Sequence, residues 1–200
     1  MDTFKAIETR RSIRDFDTSH KMSAKDKKKL LKLAMCSPTA LNIQNWRFVV
    51  VEDKKLREKI RAVAWDQPQI TDASLLIVLC GDTMSWKKNP ERYWKKRGKR
   101  DRETHVEVTL GFYKGRKEFQ RDEALRSCSM AAQTLMIAAR AMGYDSCPMD
   151  GFDFKKVAKL IKLPKDHIIT MIVAIGKAAE KPPVRAGQLP MREVVIKDRF

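Results

Sequence analysis

The feature that most constrains the fold is a long apolar segment from Glu123 to Met142, EALRSCSMAAQTLMIAARAM. It contains neither proline nor glycine, and its Leu, Met, Ile and Ala residues lie around most of the circumference of a helix. Such a helix would be about 30 Å long at about 1.5 Å per residue, and Gly143 would end it. Because a helix that is apolar on most sides must be covered on most sides, the segment predicts a central helix within a layered domain.

Buried strands alternate with helices along the rest of the chain. WRFVVVE (46–52) and LLIVLC (75–80) are apolar runs of strand length, and between them Asp53 can cap a helix through Ala64. The other expected elements are a helix over 2–11, a helix capped by Ser23 that stops at Ser37-Pro38, an extended segment over 144–147, a helix from Asp153 through Ile161, and a strand over 167–176. With 43% apolar residues and no linker, this pattern indicates a single domain over residues 1–200.

The chain has a net charge of +17, and many of its basic residues fall in a charged, weakly periodic section from 81 to 122. There, WKKNPERYWKKRGKRDR (86–102) interleaves Trp86, Tyr93 and Trp94 with Lys and Arg, a pattern that can bind single-stranded nucleic acid by stacking and charge. A solvated basic helix or lid with its aromatic rings turned inward fits the same residues. We interpret the section as an excursion or lid, with a basic nucleic-acid-binding module as the alternative.

The remaining composition excludes several classes of protein. The four cysteines and three histidines are scattered without a C-x-x-C pair, so reduced and mostly buried thiols and no metal site are expected. The longest uncharged part of the apolar segment, 127–139, is shorter than a membrane span. The N-terminus mixes acidic and basic residues and lacks the apolar core of a signal peptide, which predicts a cytoplasmic protein.

Phosphate recognition in this chain must rely on side chains. No G-x-G-x-x-G follows a strand, and no G-K-[ST] is present. The best candidates are Arg10, Arg11, Ser12 and Arg14, just after the first helix. Arginine makes planar, bidentate contacts with phosphate oxygens and always carries its charge. Taken alone, such a cluster also fits a solvated basic turn.

A second segment supports the phosphate interpretation. SPTALNIQNW (37–46) follows at the end of the next helix and, together with RRSIRDF (10–16), closely resembles the paired N-terminal signatures of the nitroreductase family. In that family the arginine cluster binds the FMN phosphate, and the second signature comes from the other subunit to wrap the flavin. The resemblance implies that four residues of this segment contact FMN: Ser37, Pro38, Thr39 and Asn42. Thr39 and Asn45 replace a serine and a proline of the family pattern.

The resemblance extends to two later segments. DQPQITDAS (66–74) is similar to the family segment in which an amide or lysine side chain contacts the pyrimidine edge of the flavin ring, which implies roles for Asp66 and Gln69. The stretch after residue 147 is similar to the family's Pro-x-Glu-Gly, whose backbone N–H groups reach N5 and O4 of the ring. The residues implied there are Pro148, Met149, Asp150 and Gly151. Read alone, the first segment fits a plain polar loop and the second a plain turn.

The tail from 177 to 200 contains three prolines and is long enough to reach a neighbouring subunit. Family members complete the phosphate site with a Lys-x-Arg pair shortly before Leu-Pro. Here the residues before Leu189 are Ala-Gly-Gln, so Arg185, or failing that Arg192, is expected to take this place.

The resemblance implies an α+β fold with a central mixed β-sheet flanked by helices and the long apolar helix at a homodimer interface. It also implies an FMN-dependent oxidoreductase that uses NADH or NADPH to reduce nitroaromatic compounds, quinones or similar small acceptors by a ping-pong mechanism. The flavin, and not a catalytic side chain, would carry the chemistry. The alternatives within the same fold are dehalogenase, dehydrogenase and flavin-consuming chemistry.

Overall fold

A four-stranded sheet lies at the centre of the computed structural model, which describes residues 1–200. The strands are β1 (Trp46–Val50), β2 (Leu75–Asp82), β3 (Asp145–Met149) and β4 (His167–Gly176). The helices are α1 (Thr3–Thr9), α2 (Ala24–Ala34), α3 (Lys54–Ala62), α4 (Gln69–Asp72), α5 (Lys99–Tyr113), α6 (Lys117–Ala141), α7 (Phe154–Leu160) and α8 (Met191–Val194). Short 3₁₀ turns cover Ala40–Asn42, Ser85–Lys87 and Pro90–Trp94.

The strand order is β1-β2-β4-β3, and every neighbouring pair is antiparallel. The α+β class is therefore confirmed. The expected mixed sheet would contain at least one pair of parallel strands. Within this chain the four strands form no such pair, and the only parallel pairing is an isolated bridge between Ser12 and Ser146. This bridge nevertheless brings the segment after α1 to the edge strand β3.

The core lies on both faces of the sheet because side chains alternate along β2. Leu75, Ile77 and Leu79 face α2 and α6, whereas Leu76 and Val78 face α3 and α7. All eight residues of β2 are buried. The predicted central helix is α6, which contacts all four strands as well as α1 and α2. The two apolar clusters thus share one sheet and hold the helices on either side.

Local signals in the sequence account for the helix starts. The side chains of Ser23, Asp53 and Asp153 accept hydrogen bonds from backbone N–H groups three residues later, at 3.0, 2.6 and 2.9 Å. The predicted caps are therefore confirmed. Gly143, with φ of +80°, follows the end of α6 as expected.

The excursion is more regular than its sequence pattern indicated. It contains α5, a helix of 15 residues on which only Thr109 and Tyr113 are buried. Because so few positions face inward, no apolar stripe marks the helix in the sequence. The 3₁₀ turn Ser85–Lys87, which precedes α5, places Trp86 in a buried position.

The long helix begins earlier than predicted, at Lys117 instead of Glu123. Its additional turn packs Phe119 beside Tyr113, Trp86 and Ile43, which form a small third apolar cluster. Phe119 and Tyr113 have ring centroids 5.5 Å apart. Inward-turned aromatic rings favour the lid interpretation of the excursion over a stacking surface for nucleic acid.

Three of the four cysteines are buried, and none is in a disulfide. The exception is Cys36, which lies exposed just after α2. None of the helices combines the length and apolarity that crossing a bilayer requires.

Gly81 in β2 tests the packing of α6 on the sheet. A Cβ atom at this position would lie 2.9 Å from the Cβ of Ala124 and 3.3 Å from its carbonyl oxygen. Gly81→Ala should therefore lower the free energy of unfolding by about 1–3 kcal/mol in urea titrations. The matched control is Gly111→Ala in α5, where nothing lies within 4 Å of the added atom; it should be neutral or stabilising by up to about 1 kcal/mol. Equal effects would contradict this account of the packing.

Candidate functional site

Guanidinium groups with unused hydrogen-bond donors lie just after α1. Arg11 donates from Nη1 to the carbonyl oxygens of Glu8 and Arg10, at 2.7 and 2.8 Å. The Nη1 atom of Arg10 and the Nε atom of Arg11 are buried without any partner. Buried donors are almost always paired in folded proteins. Two unpaired cationic donors on consecutive residues therefore indicate the place of an anionic ligand.

Arg185 of the tail joins this cluster, since its Nη2 donates to the carbonyl oxygen of Glu8 at 3.3 Å. Burial lowers the pKa of Arg10, and the positive charges of Arg185 and Arg11 lower it further. Arg192 makes no hydrogen bond or ion pair. The structure thus brings Arg185, and not Arg192, to Arg10 and Arg11.

Ser12 and Arg14 connect the cluster to the edge of the sheet. Ser12 bridges to Ser146 in β3, and the N–H of Ile13 donates to the carbonyl oxygen of Ser146 at 3.0 Å. The hydroxyl of Ser146 is buried without a partner. Ser12 and Arg14 also line a cavity of about 440 Å³ that the tail closes with Glu180, Lys181, Pro182 and Pro183. The first signature therefore lines a polar cavity against the edge of the sheet.

A chain of two amides joins the other predicted flavin segments. Gln69 is buried, and its Nε2 donates to Oε1 of Gln67 at 3.1 Å. Gln67 in turn donates from Nε2 to the carbonyl oxygens of Gly151, at 2.7 Å, and Ala64, at 3.1 Å. The loop before β2 and the turn after β3 thus form one hydrogen-bonded unit. Gln67 holds the backbone of Gly151 in place.

Bulky and charged side chains flank this unit. Trp65 has φ of +53° and is 80% exposed, and a Cβ on Gly151 would lie 2.5 Å from its ring. A larger residue at 151 would displace that ring. Asp66 also has φ of +53° and points outward, in an ion pair with Arg61 at 2.7 Å. The side chain of Asp66 therefore faces solvent on the outside of the loop.

The residues at the end of β3 and in the turn that follows it differ in exposure. Met149 is buried, Pro148 is half-buried and Asp150 is exposed. The carbonyl oxygen of Asp150 accepts a hydrogen bond from the N–H of Phe152 at 3.0 Å. The turn is therefore fixed by its backbone, so the side chain at 150 is free to vary.

The second signature lies elsewhere in the protomer. Its first residue is buried at the end of α2, where Ser37 donates to Oγ1 of Thr134 in α6 at 2.8 Å. Further along, Oγ1 of Thr39 accepts from the N–H of Gln44 at 3.0 Å. No hydrogen bond or ion pair joins residues 37–46 to the arginine cluster. Within one chain the two signatures thus form two separate half-sites, with Pro38 and Asn42 in the second.

A cluster of ionisable groups lies where the excursion leaves the sheet. Ligand atoms of Asp82, Asp166 and His167 lie within 4.8 Å of one another. Cations already occupy these carboxylates, because Lys88 contacts Asp82 at 3.0 Å and Asp166 at 2.6 Å, and Arg47 contacts Asp82 at 3.0 Å. The arrangement is an ion-pair network at the base of the excursion. It offers a metal ion no free set of ligands.

Three features of the site were missed in the sequence analysis: Gln67, Trp65 and Ser146. A polar residue in a strand gives no signal of its own, so Ser146 could be found only from its contact with Ser12. The only sequence signal for Gln67 is its position two residues before Gln69, in the segment that leads to a buried strand.

The chain matches the model of the nitroreductase family over residues 7–177. It belongs to the nitroreductase family. Protein DrgA of Synechocystis is 46% identical to this chain, and the match covers 98% of this chain and 95% of DrgA. The CLA biosynthesis enone reductase of Lactiplantibacillus plantarum is 31% identical over 86% and 84% of the two chains. A structure from Exiguobacterium sibiricum, described as a nitroreductase in complex with FMN, superposes with a TM-score of 0.89 at 27% identity, covering 98% and 97% of the two chains. The predicted family is confirmed.

The amide chain gives a direct test of how the turn at Gly151 is held. Gln67→Met removes two donated hydrogen bonds and leaves the buried amide of Gln69 without its acceptor. We expect this change to lower the free energy of unfolding by about 1–3 kcal/mol. Gln188→Met, in the exposed tail where the side chain makes no hydrogen bond, should change it little. A Gln67 variant as stable as this control in urea titrations would show that the amide chain does not hold the turn.

The ion-pair network predicts a specific pH dependence. Hydrogen bonds from Lys88 and His167 lower the pKa of Asp166 to about 2, from an ordinary value of 3.8. Because the folded-state pKa is depressed, the stabilisation is present above pH 3.8 and is lost as pH falls towards 2. Asp166→Asn should therefore lower stability at pH 7 by less than about 1 kcal/mol, since the pair is partly exposed. It should also flatten the loss of stability between pH 4 and pH 2.

The matched control for this test is Asp198→Asn, because Asp198 is exposed and forms no ion pair. It should leave the pH dependence of unfolding unchanged. An Asp166→Asn variant with the wild-type slope below pH 4 would contradict the role of the network.

Proposed function

We propose that this chain is one half of an FMN-binding homodimer that oxidises NAD(P)H and passes the electrons to quinones, nitroaromatic compounds or similar small acceptors. One observation carries the proposal: the buried, unpaired donors of Arg10 and Arg11 lie beside Arg185 at the end of a helix. The phosphate of FMN has the charge and the acceptor oxygens that these donors lack.

Membership of the nitroreductase family makes the chain an NAD(P)H-dependent oxidoreductase with FMN as its cofactor. Relatives support this role, since YodC of Bacillus subtilis is described as an NAD(P)H nitroreductase and is 31% identical over 96% of this chain. The identity of the acceptor is part of the proposal. The enone reductase among the relatives suggests that activated double bonds belong to the same class of acceptors.

The residues of the site fit FMN in two places. The unpaired donors of Arg10 and Arg11, with Arg185 and Ser12, would hold the phosphate. The turn at Gly151, fixed by Gln67, would hold the ring through backbone N–H groups, which keep their position and do not titrate. When bound, FMN supplies the two-electron hydride chemistry. No side chain of the chain is assigned as a general acid or base.

The second signature is proposed to reach the ring from the other subunit. Residues 37–46 carry the remaining predicted contacts, through Ser37, Pro38, Thr39 and Asn42, yet they lie apart from the arginine cluster in their own chain. A homodimer would combine the two half-sites. Each active site would then contain residues of both chains.

Exposed apolar side chains support the homodimer. Helices α1 and α2 both pack on α6, and all three expose large apolar residues: Phe4, Ile7, Leu33 and Met130. The tail exposes more, with Val184, Leu189 and Met191 each over 60% accessible. Such surfaces indicate a protein partner. We propose that the partner is a second copy, reached in part by the tail, and that the enzyme acts in the cytoplasm, where NAD(P)H is available.

The visible absorption spectrum tests the flavin site. The purified protein, supplied with FMN, should show the two flavin bands, and NADH or NADPH should bleach them. Addition of a quinone should then restore them. A colourless protein that takes up no added FMN would refute the proposal.

The two tail arginines sharpen this test. Arg185→Ala should weaken FMN binding about tenfold to a hundredfold, the effect of one charge-assisted hydrogen bond. Arg192→Ala is the matched control and should bind FMN as the wild type does. Quenching of FMN fluorescence during titration measures both dissociation constants. The reverse order of effects would assign the phosphate site to Arg192.

A further inference from the structure

A second basic cavity lies in the excursion, away from the arginine cluster. It has a volume of about 480 Å³, and its lining includes Arg92, Lys95, Lys96 and Arg97 together with Asn42 and Gln44. We call it the basic pocket. Four cationic side chains line it, and no carboxylate does.

This imbalance of charge distinguishes the basic pocket from two other cavities of the protein. The neighbouring groove along α5 is lined by three acidic residues, Glu91, Glu103 and Glu107, and by three basic ones, Lys99, Arg102 and Lys114. The cavity beside Ser12 likewise carries both signs of charge. The basic pocket therefore differs from both of these cavities in having cations and no carboxylate, and positive potential accumulates in it.

The cations of the basic pocket are largely free to bind a ligand. Lys95 and Lys96 are exposed and take part in no ion pair. Arg92 stacks on the ring of Tyr93, 4.8 Å from its centroid, and donates to its hydroxyl at 2.6 Å. Only Arg97 has an acidic neighbour, Asp101, at 3.8 Å. An anion entering the pocket would meet several cations that lack a counterion.

The basic pocket is tied to the second flavin signature. The Nδ2 atom of Asn42 donates to the carbonyl oxygen of Tyr93 at 2.9 Å, and Gln44 donates to Oδ1 of Asn42 at 3.3 Å. Residues proposed to approach the flavin ring thus form one wall of the pocket. An anion held there would lie next to the redox site.

We propose that the basic pocket binds the 2′-phosphate of NADPH and makes the enzyme prefer NADPH to NADH. The inference rests on the proposed function. The nicotinamide end of the cosubstrate must meet the flavin ring, whereas the 2′-phosphate lies at the adenosine end and is the only group that distinguishes the two nucleotides. The arginine cluster is assigned to the FMN phosphate, so a separate set of cations is needed for this second phosphate monoester.

Steady-state kinetics with one quinone and both nucleotides tests the inference. The wild type should show kcat/KM at least about tenfold higher with NADPH than with NADH, as expected for charge-assisted contacts to one phosphate. The double variant Lys95→Gln/Lys96→Gln should lose about tenfold with NADPH and nothing with NADH. The matched control is Lys54→Gln/Lys55→Gln, two exposed lysines of α3 outside the pocket, which should leave both values unchanged.

A binding measurement provides a readout besides turnover. Adenosine 2′,5′-bisphosphate should bind more tightly than adenosine 5′-phosphate in calorimetric titrations. This advantage should shrink with added salt, which screens exposed charges. It should also shrink in the double variant.

The outcomes separate the inference from the function on which it rests. An FMN-loaded enzyme that uses NADH and NADPH equally, or a double variant that loses both equally, would overturn the inference alone. Failure to bind FMN or to oxidise either nucleotide would overturn the proposed function itself. Binding of single-stranded RNA in place of the bisphosphate would also overturn the inference and assign the basic pocket to nucleic acid.

Discussion

The packing of α6 across the sheet positions both the arginine cluster and the second signature. At 25 residues, and so about 37 Å in length, the helix reaches from the excursion to the edge strand. Near one end, Arg140 donates to Oγ1 of Thr9 at 3.1 Å and pairs with Asp145 at 2.8 Å. These contacts fix the end of α1, and therefore the arginines that follow it, against β3. Nearer its middle, Thr134 accepts the hydrogen bond from Ser37 that anchors the second signature.

One helix therefore holds both half-sites, but it holds them apart. The arginine cluster and the segment 37–46 are attached to different turns of α6, and no hydrogen bond or ion pair joins them within the chain. This separation is the reason that we propose a site completed by a second chain. It also gives the exposed apolar residues of α1, α2 and α6 a function, since a partner that covers them would bring its own second signature.

Much of the fold could be predicted because local chemistry determines it. Buried strands such as 75–80 and caps such as Asp53 depend on a few neighbouring residues, and both are present where expected. Helix α5 was missed because only two of its residues are buried, too few to form a periodic apolar stripe in the sequence. The antiparallel order of the strands could not be read either, because it depends on contacts between distant segments.

The site, like the fold, could be predicted from the sequence only in part. Arg10 and Arg11 are recognisable in the sequence by residue type and spacing, whereas Gln67 acts through a backbone carbonyl 84 residues away. Only the folded chain could select Arg185 over Arg192, since both follow the last strand in an irregular tail. The net charge was ambiguous as well, because a total of +17 does not say where an anion would bind. The folded chain gives a location, since four cations line one pocket beside Asn42.

The central claim is that two chains are needed to bind one flavin. Sedimentation velocity with detection at the flavin absorption band, over a series of protein concentrations, tests it most directly. The account predicts that the flavin sediments only with the dimer, at up to one FMN per chain, and that dilution to monomer releases it. A monomer that sediments with its full complement of FMN would contradict the account.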